Sequence, residues 1–245
     1  MSESIHKSVL LKETIEALNL HEDSVIIDAT FGGGGHSIEI LEKYPNLKII
    51  ALDQDGTVWS KAQSKLKGKE KRIRFININF RDIDKIDVDK VDGIMFDLGL
   101  SSDQLENGGR GFSFMKDEPL LMSMKSEVSK DDTTAYDIVN NWSEENIAKI
   151  IYGYGEERYS RRIAHAICEA RERTEIKTTF ELVRIIEGCV PKDFRKSKIH
   201  RATKTFQALR IAVNDELHTL ELGLQNGFDK LKKDGRMAVI SFHSL

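Results

Sequence analysis

Short apolar runs that end in an acid or a glycine recur through the N-terminal part of the chain. S-V-I-I-D, L-K-I-I-A-L-D, R-I-R-F-I-N-I and V-D-G-I-M-F-D-L-G each predict a buried β-strand. Segments with helical patterning lie between them, at residues 37–44 and 57–66. Because strands alternate with helices, the pattern predicts an α/β fold with a doubly wound parallel sheet.

Beyond residue 102 the spacing of apolar positions becomes mostly helical. A glycine-rich passage, E-N-G-G-R-G-F-S-F, precedes helical stretches such as S-R-R-I-A-H-A-I-C-E-A, and no strand-like run returns before Met237. One long helix is expected over residues 203–224. We therefore expect a Rossmann-like domain formed by residues 1–105 and 202–245, and a mostly helical insertion domain over residues 106–201 that recognises the substrate.

Composition places the chain among ordinary globular proteins. Hydrophobic residues make up 40% and charged residues 31% of its 245 residues, and no apolar run reaches the length of a membrane helix. The N-terminus does not have the pattern of a signal or transit peptide, so we expect a cytoplasmic protein without a membrane partner. Cys168 and Cys189 stand alone, which predicts neither a disulfide nor a metal site, and we expect both to be buried.

Positive charge is concentrated in one stretch of the chain. The net charge is −3, yet residues 153–210 hold fourteen Lys or Arg against eight Asp or Glu. A stretch of this kind is consistent with RNA binding. The alternative is a set of solvated helix faces that are rich in arginine, and the sequence leaves it open.

A glycine run follows the first predicted strand, in D-A-T-F-G-G-G-G-H-S. Glycines allow positive φ and close approach of a ligand, and the next helix offers free N–H groups. The second strand ends at Asp53, where an acid can bind the ribose hydroxyls of an adenosine. Nicotinamide cofactors and S-adenosylmethionine both fit these features. The loop departs from the G-x-G-x-x-G spacing that a pyrophosphate requires, which favours S-adenosylmethionine.

The fourth predicted strand ends at Asp97, in D-L-G-L-S-S-D-Q-L. Asp97 should lie at the carboxyl edge of the sheet, where a transferable group would be held. It is the candidate catalytic residue, because methyl transfer chiefly requires that the acceptor be positioned in line. The alternative role, a turn or helix-capping aspartate, stays open.

Six segments in matching order, from about Lys7 to Leu245, resemble the bacterial 16S ribosomal RNA (cytosine-N4) methyltransferases. They are D-A-T-F-G-G-G-G-H-S, D-L-G-L-S-S-D-Q-L, R-G-F-S-F, Y-G-E-E-R, T-F-Q-A-L-R-I-A-V-N-D-E-L and S-F-H-S-L. The resemblance implies a class I methyltransferase fold with a helical insertion. It also implies methylation of the N4 amine of a decoding-region cytidine, within 16S ribosomal RNA of the small ribosomal subunit.

Matching positions also assign residues to the cofactor and to the RNA. The resemblance implies that S-adenosylmethionine is bound by Gly34, Gly35, His36, Asp53, Phe80, Asp97 and Gln104. From its residue type, Phe80 suits packing on the adenine, or equally a place in the core. Arg110, Phe112 and Phe114 suit stacking on an unstacked base, or equally a hydrophobic plug that anchors the insertion. His243 is a further candidate for the acceptor pocket.

The chain departs from the family pattern in three places. P-L-L-M-S-M-K, residues 119–125, stands where the family has P-L-D-M-R-M-D, and H-R-A-T-K-T-F stands for H-P-A-T-R-T-F. We also expect the family's C-terminal tail to be missing after Leu245. These departures motivate one alternative, a non-catalytic ribosome-binding or assembly factor. A small-molecule methyltransferase is disfavoured by the basic stretch, and a monomer or a homodimer is equally compatible with the sequence.

Overall fold

The computed structural model describes residues 8–101, 104–105, 108–191 and 199–242. Contacts divide the chain into two compact units. The sheet unit comprises residues 1–102 and 218–244, and the helical unit comprises residues 103–217.

The elements follow one another along the chain as strands and helices of ordinary length. The strands are β1 (Val25–Asp28), β2 (Lys48–Asp53), β3 (Ile73–Asn77), β4 (Val91–Asp97) and β5 (Leu231–Ile240). The helices are α1 (Leu11–Leu18), α2 (Gly35–Lys43), α3 (Thr57–Ala62), α4 (Ala135–Asn141), α5 (Glu144–Gly153), α6 (Ser160–Arg171), α7 (Thr179–Cys189), α8 (Thr203–Asn214) and α9 (Glu216–Lys230). Short 3₁₀ helices span Gln63–Leu66, Glu70–Arg72 and Phe80–Lys85.

The sheet unit is built on five parallel strands in the order β3-β2-β1-β4-β5. Successive strand residues face opposite sides, so Ile26 packs with α1 and α2 while Ile27 packs with the 3₁₀ helix Phe80–Lys85. Both faces of the sheet are therefore covered, which is why the strands read as continuous apolar runs. This confirms the doubly wound, Rossmann-like fold predicted from the sequence.

The helical unit is formed by α4 to α8, which bury their apolar faces against one another. Helix α5 packs on α6 and α8, and α6 packs on α7. Thr134 and Thr178 start α4 and α7 with capping boxes, in which the side chain and the third helical residue satisfy each other's backbone N–H groups. Among the described helices, none combines the length and apolar character that crossing a bilayer requires.

Three features of the C-terminal part differ from the sequence-based expectation. The prediction of one long helix over residues 203–224 is wrong, because Asp215 has φ 46° and separates α8 from α9. Helix α8 packs on α4 and α5, so the chain re-enters the sheet unit after residue 217 and not at residue 202, as the sequence had led us to expect. Strand β5 begins at Leu231, earlier than R-M-A-V-I-S-F indicates. Leu231 already pairs with Val91 of β4, and the residues K-K-D-G form an irregularity before regular pairing resumes at Arg236.

The strand order places one crevice at the carboxyl edge of the sheet. β2 and β3 lie on one side of β1, whereas β4 and β5 lie on the other. In doubly wound sheets, ligands bind where the order reverses in this way. The strands that meet there end in Asp28 and Asp97, and β2 next to them ends in Asp53.

Candidate cofactor and acceptor sites

The glycine run forms a tight turn between β1 and α2. Gly32 and Gly34 have φ of 50° and 73°, which side-chain-bearing residues rarely adopt. A Cβ at Gly34 would lie 2.7 Å from Cζ of Phe31, and one at Gly35 would collide with the Ser8 hydroxyl. The first N–H groups of α2 have no partners within the helix. The turn thus brings bare backbone and donor groups to the edge of the sheet.

Asp53 holds this turn by its carboxylate. The N–H of Gly32 donates to Oδ2 at 2.8 Å, and the N–H of Asp55 donates to Oδ1 at 2.8 Å. A carboxylate oxygen can accept more than one hydrogen bond, so both oxygens keep capacity for a hydroxyl donor. The geometry suits the two hydroxyls of a ribose, although that role stays a prediction.

Asp28 is a buried acid that our sequence reasoning did not include among the site residues. It is 2% exposed, and the Ser37 hydroxyl donates to its carboxylate at 2.6 Å. Burial raises the pKa of Asp28 to about 7, and repulsion from Asp53 and Asp97 adds to the rise, while hydrogen bonds from Ser37 and the Thr30 N–H oppose it. The only sequence signal was its place at the end of a buried strand.

His36 and Asp97 face each other across the glycine turn. The imidazole is 6% exposed, and its Nε2 lies 3.2 Å from the carbonyl oxygen of Val9. A carbonyl only accepts, so Nε2 carries the proton. Nδ1 lies 3.6 Å from Oδ2 of Asp97. The ring is therefore close enough to pair with the Asp97 carboxylate whenever both of its nitrogens carry a proton.

Thr30 orients the end of β4. Its hydroxyl accepts a hydrogen bond from the Asp97 N–H at 2.6 Å. The glycine turn is thereby joined to β4 as well as to β2. The structure thus brings Gly34, Gly35, His36, Asp53 and Asp97 to one edge of the sheet, as the sequence predicts for parallel strand ends.

Phe80 lies next to this edge, at the start of a 3₁₀ helix. Its ring is half-buried and meets Phe96 edge-on, with centroids 5.5 Å apart. A Cβ at Gly223 of α9 would lie 2.5 Å from Cδ2 of Phe80, so the helix backbone closes directly on the ring. These contacts fix the orientation of Phe80, and its role at an adenine stays a prediction.

In the helical unit, R-G-F-S-F makes mainly internal contacts. The Arg110 guanidinium lies 5.4 Å from the centre of the Phe112 ring and donates to the carbonyls of Met124 and Lys125 at 3.2 and 3.0 Å. Phe112 is 6% exposed. Phe114 stacks on His200, with centroids 4.6 Å apart, and meets Phe206 edge-on. These are the contacts of an anchoring plug, and base stacking by these residues stays a prediction.

The segment that departs from the family pattern, residues 119–125, is nevertheless firmly held. Asn214 accepts from the Met124 N–H and donates to the Met122 carbonyl, both at 2.8 Å. Ser123, where the family has an arginine, is buried, and Lys125 forms an ion pair with Asp132. The substitutions change side-chain charge, but the backbone of the segment keeps its partners.

The remaining predicted residues add little geometry. Gln104 is half-buried and belongs to the helical unit, whereas His243 lies outside the described residues. Cys168 and Cys189 are half-buried rather than buried, and both have a pKa raised by burial. Over the ranges that the structure describes, no cluster of three or more His, Cys, Asp or Glu side chains suits a metal ion.

Comparison with known proteins decides the family. The model of the MraW methylase family matches residues 3–245. The chain belongs to the MraW methylase family. This confirms the resemblance inferred from the six ordered motifs, and with it the interpretation as a methyltransferase.

Curated relatives cover almost all of this methylase. "Ribosomal RNA small subunit methyltransferase H" of Clostridium botulinum (strain 657 / Type Ba4) is 48% identical over 245 residues, which are 98% of this chain and 78% of the relative. The protein of the same name from Persephonella marina is 45% identical over 244 residues, 98% of this chain and 82% of the relative.

Likeness to solved structures is limited to part of the fold. A putative rRNA-methylase from Clostridium thermocellum is 22% identical with a TM-score of 0.33, covering 40% of this chain and 54% of that chain. We draw no conclusion from a TM-score this low. The fold assignment stands on the sheet order and the family match.

Proposed function

We propose that this methylase transfers a methyl group from S-adenosylmethionine to the exocyclic N4 amine of a decoding-region cytidine in 16S ribosomal RNA. The observation that carries the proposal is the meeting of the glycine turn, Asp53 and Asp97 at the switch point of a sheet, in a member of a methylase family. Its substrate is RNA, and we propose that it acts on an assembled or nearly assembled small ribosomal subunit. We propose the cytoplasm as its location, because small ribosomal subunits are found there.

The residues at the sheet edge fit this cofactor. A side chain at Gly34 would fill the turn, so the cradle exists only because no Cβ is there. Asp53 keeps acceptor capacity for ribose hydroxyls, and the nearby carboxylates of Asp28 and Asp97 suit the cofactor's positive groups. We assign the cofactor to Gly34, Gly35, His36, Asp53, Phe80, Asp97 and Gln104.

Asp97 has the central role in the proposed chemistry. The bound cofactor supplies an electrophilic methyl carbon on a sulfonium. Asp97 accepts a hydrogen bond from the N4 amine and so turns the nitrogen lone pair toward that carbon. As the new C–N bond forms, the bond between the methyl carbon and the sulfonium sulfur would break and the sulfur would leave as a neutral thioether, so the amine would gain the positive charge and release a proton. Asp97 takes this proton.

The helical unit is proposed to recognise the RNA. Arg110, Phe112, Phe114 and His243 remain the proposed acceptor-side residues. The internal contacts of Phe112 and Phe114 mean that either ring must leave its present partners before it stacks on a base. Arg110 has the same constraint, because it donates to the carbonyls of the segment 119–125.

Methyl incorporation tests the proposal directly. Small subunits lacking the modification are incubated with the full chain and tritiated S-adenosylmethionine, and the labelled nucleoside is identified after digestion. N4-methylcytidine at one position is the expected product. Cofactor binding by calorimetry without any incorporation would instead support the non-catalytic assembly factor, which the changed residues 119–125 motivate.

A further inference from the structure

Cations gather at one end of the helical unit, where Arg158, Arg161 and Arg162 are exposed and two more are half-buried. Arg158, Arg161 and Arg162 lie at the start of α6, and Arg201 and Lys204 lie at the start of α8. Contacts join the two places: Lys204 donates to the carbonyl of Glu156, next to the start of α6, at 2.7 Å. We call these five residues the basic end.

Helix α7 ends at the same place. Arg201 donates to the carbonyl of Glu187, close to the last residue of α7, at 3.4 Å. Helix α6 packs on α7, and the rise that burial causes in the pKa of the Cys189 thiol, at the end of α7, is opposed by the positive charge of Arg162 and increased by the negative charge of Glu157. Three helix ends therefore share one surface.

The motif Y-G-E-E-R explains why this surface is built as it is. A Cβ at Gly155 would collide with the Lys204 carbonyl oxygen, so the loop packs directly on α8. Gln207 fixes it further by donating to the Tyr154 carbonyl at 3.3 Å. Glu157 is 4% exposed and accepts from the Tyr159 N–H. The motif thus buries one of its acids and leaves its arginine, Arg158, at the surface.

The other end of α6 has a different electrostatic character. Arg173 pairs with Glu169 at 2.7 Å, and Lys177 pairs with Glu175 at 3.4 Å. Within the part of the chain that the structure describes, Arg161 and Arg162 have no such carboxylate partner. Arg173 and Lys177 are therefore ion-paired at one end of the helical unit, whereas Arg161 and Arg162 at the other end form no ion pair within the described residues.

We propose that the basic end binds the phosphate backbone of the ribosomal RNA. Guanidinium groups are well suited to phosphate, and cations without a protein counter-ion are those that displace counter-ions from RNA. Tyr152, at the end of α5 beside the same loop, is 67% exposed and offers its ring to an unpaired base. The inference rests on the proposed function and names the surface that holds the substrate.

A matched pair of double variants tests the proposal. R161Q/R162Q removes two exposed cations from the basic end, and R173Q/K177Q removes two exposed, ion-paired cations from the opposite end. Binding of the full chain to a protein-free decoding-region RNA is measured over a range of salt concentrations. For R161Q/R162Q we expect the magnitude of the slope of log K against log salt to fall by about 1.5, and affinity to fall roughly tenfold at fixed salt. The control should keep the wild-type slope.

Equal effects of the two double variants would overturn the proposal, because net charge alone would then be responsible. Y152A should weaken binding about tenfold while leaving the slope unchanged. Thermal unfolding shows whether each variant is folded. For folded variants, the slope of log K against log salt decides whether the basic end binds phosphate.

Other readouts separate this inference from the proposed function. If the wild type transfers no methyl group to small subunits, the proposed function fails. If it does, and R161Q/R162Q keeps the wild-type slope and the wild-type KM for subunits, the basic end is refuted while the function stands. Loss of binding to intact subunits with unchanged binding to protein-free RNA would refute it in favour of a ribosomal-protein contact.

Discussion

The sheet unit and the helical unit of this methylase use polar residues in opposite ways. At the sheet edge, Asp28 and Asp53 are tied to backbone and hydroxyl donors, so their positions are set before any ligand arrives. In the helical unit, Arg161 and Arg162 are exposed, and no carboxylate of the described residues neutralises them. The hydrogen bonds at the sheet edge fix the positions of the carboxylates, whereas the exposed arginines attract anions over a longer distance. Cofactor binding should therefore depend on single atoms, and RNA binding on summed charge.

The largest expected effect is that of Asp53→Ala. It removes the acceptor for the proposed ribose and leaves the Gly32 and Asp55 N–H groups without their partner. We expect cofactor affinity by calorimetry to fall by about 100-fold or more, since several hydrogen bonds to a charged group are lost. RNA affinity should not change if the sheet unit binds the cofactor and the helical unit binds the RNA.

Asp89→Ala is the control, because Asp89 is an exposed acid elsewhere in the sheet unit. Asp53→Asn keeps one acceptor oxygen and should fall between the wild type and Asp53→Ala. An Asp53→Ala variant that binds the cofactor normally would remove Asp53 from the site.

Gly34→Ala should have the next largest effect, with Gly33→Ala as its control. A Cβ at Gly34 meets the Phe31 ring at a positive φ, whereas one at Gly33 meets nothing within 4 Å. We expect Gly34→Ala to weaken cofactor binding roughly tenfold and to lower the free energy of unfolding by about 1–2 kcal/mol. Gly33→Ala should change neither quantity measurably, and equal losses from both would contradict the cradle.

Asp28→Asn should reveal a dependence of stability on pH. The pKa of this carboxyl is near its ordinary value of 3.8 in the unfolded chain and about 7 in the folded one. Between these values the folded state keeps a proton that the unfolded state has released, so the free energy of unfolding falls as pH rises from about 4 to about 7. The fall amounts to about 4 kcal/mol for this shift, and Asp28→Asn should remove most of it. Urea titrations across this pH range measure it.

Binding of a cationic cofactor should also release a proton from Asp28, since a nearby positive charge favours the carboxylate. Calorimetry in buffers of different ionisation enthalpy measures that release. An Asp28→Asn variant that releases as many protons as the wild type at pH 7 would show that another group is responsible.

The smallest effect on ligand binding is expected from Asn214→Ala in the helical unit. This change removes both hydrogen bonds that hold the backbone of residues 122–124, at a cost of about 2 kcal/mol in the free energy of unfolding. We expect the KM for small subunits to rise by a few-fold, roughly the effect of one loosened contact, while calorimetric cofactor affinity is unchanged. A loss of cofactor affinity would mean that the two functions are not separable as the comparison implies.

Sequence reasoning located most of the sheet unit, because buried parallel strands are continuous apolar runs that end at the same edge. It therefore placed Asp53 and Asp97 together correctly. It joined α8 and α9 into one helix, since the left-handed turn at Asp215 has no distinct signal in V-N-D-E-L. It also assigned α8 to the sheet domain, because periodicity shows that a helix has an apolar face but not which partner covers it.

The parts of the site that were missed depend on three-dimensional pairing. The environment of Asp28 arises from burial and from Ser37, which belongs to the following helix. The count of charges in residues 153–210 showed an excess of lysine and arginine, but only the structure separates the paired Arg173 from Arg161. Composition gives the net charge of a segment, whereas ion pairing in the folded structure determines which part of the surface carries that charge.

The pairing of β4 with β5 has a consequence for how the chain folds. Asp97 and Ile240 are neighbours in the sheet, although the whole helical unit separates them along the chain. Contacts of such high sequence separation form late, because the entropy of closing the loop must be met first, whereas the helix pairs of the helical unit are local. Until β4 and β5 pair, Asp97 would lie on an incompletely formed sheet. Catalytic activity would therefore be acquired only when this last long-range pairing forms.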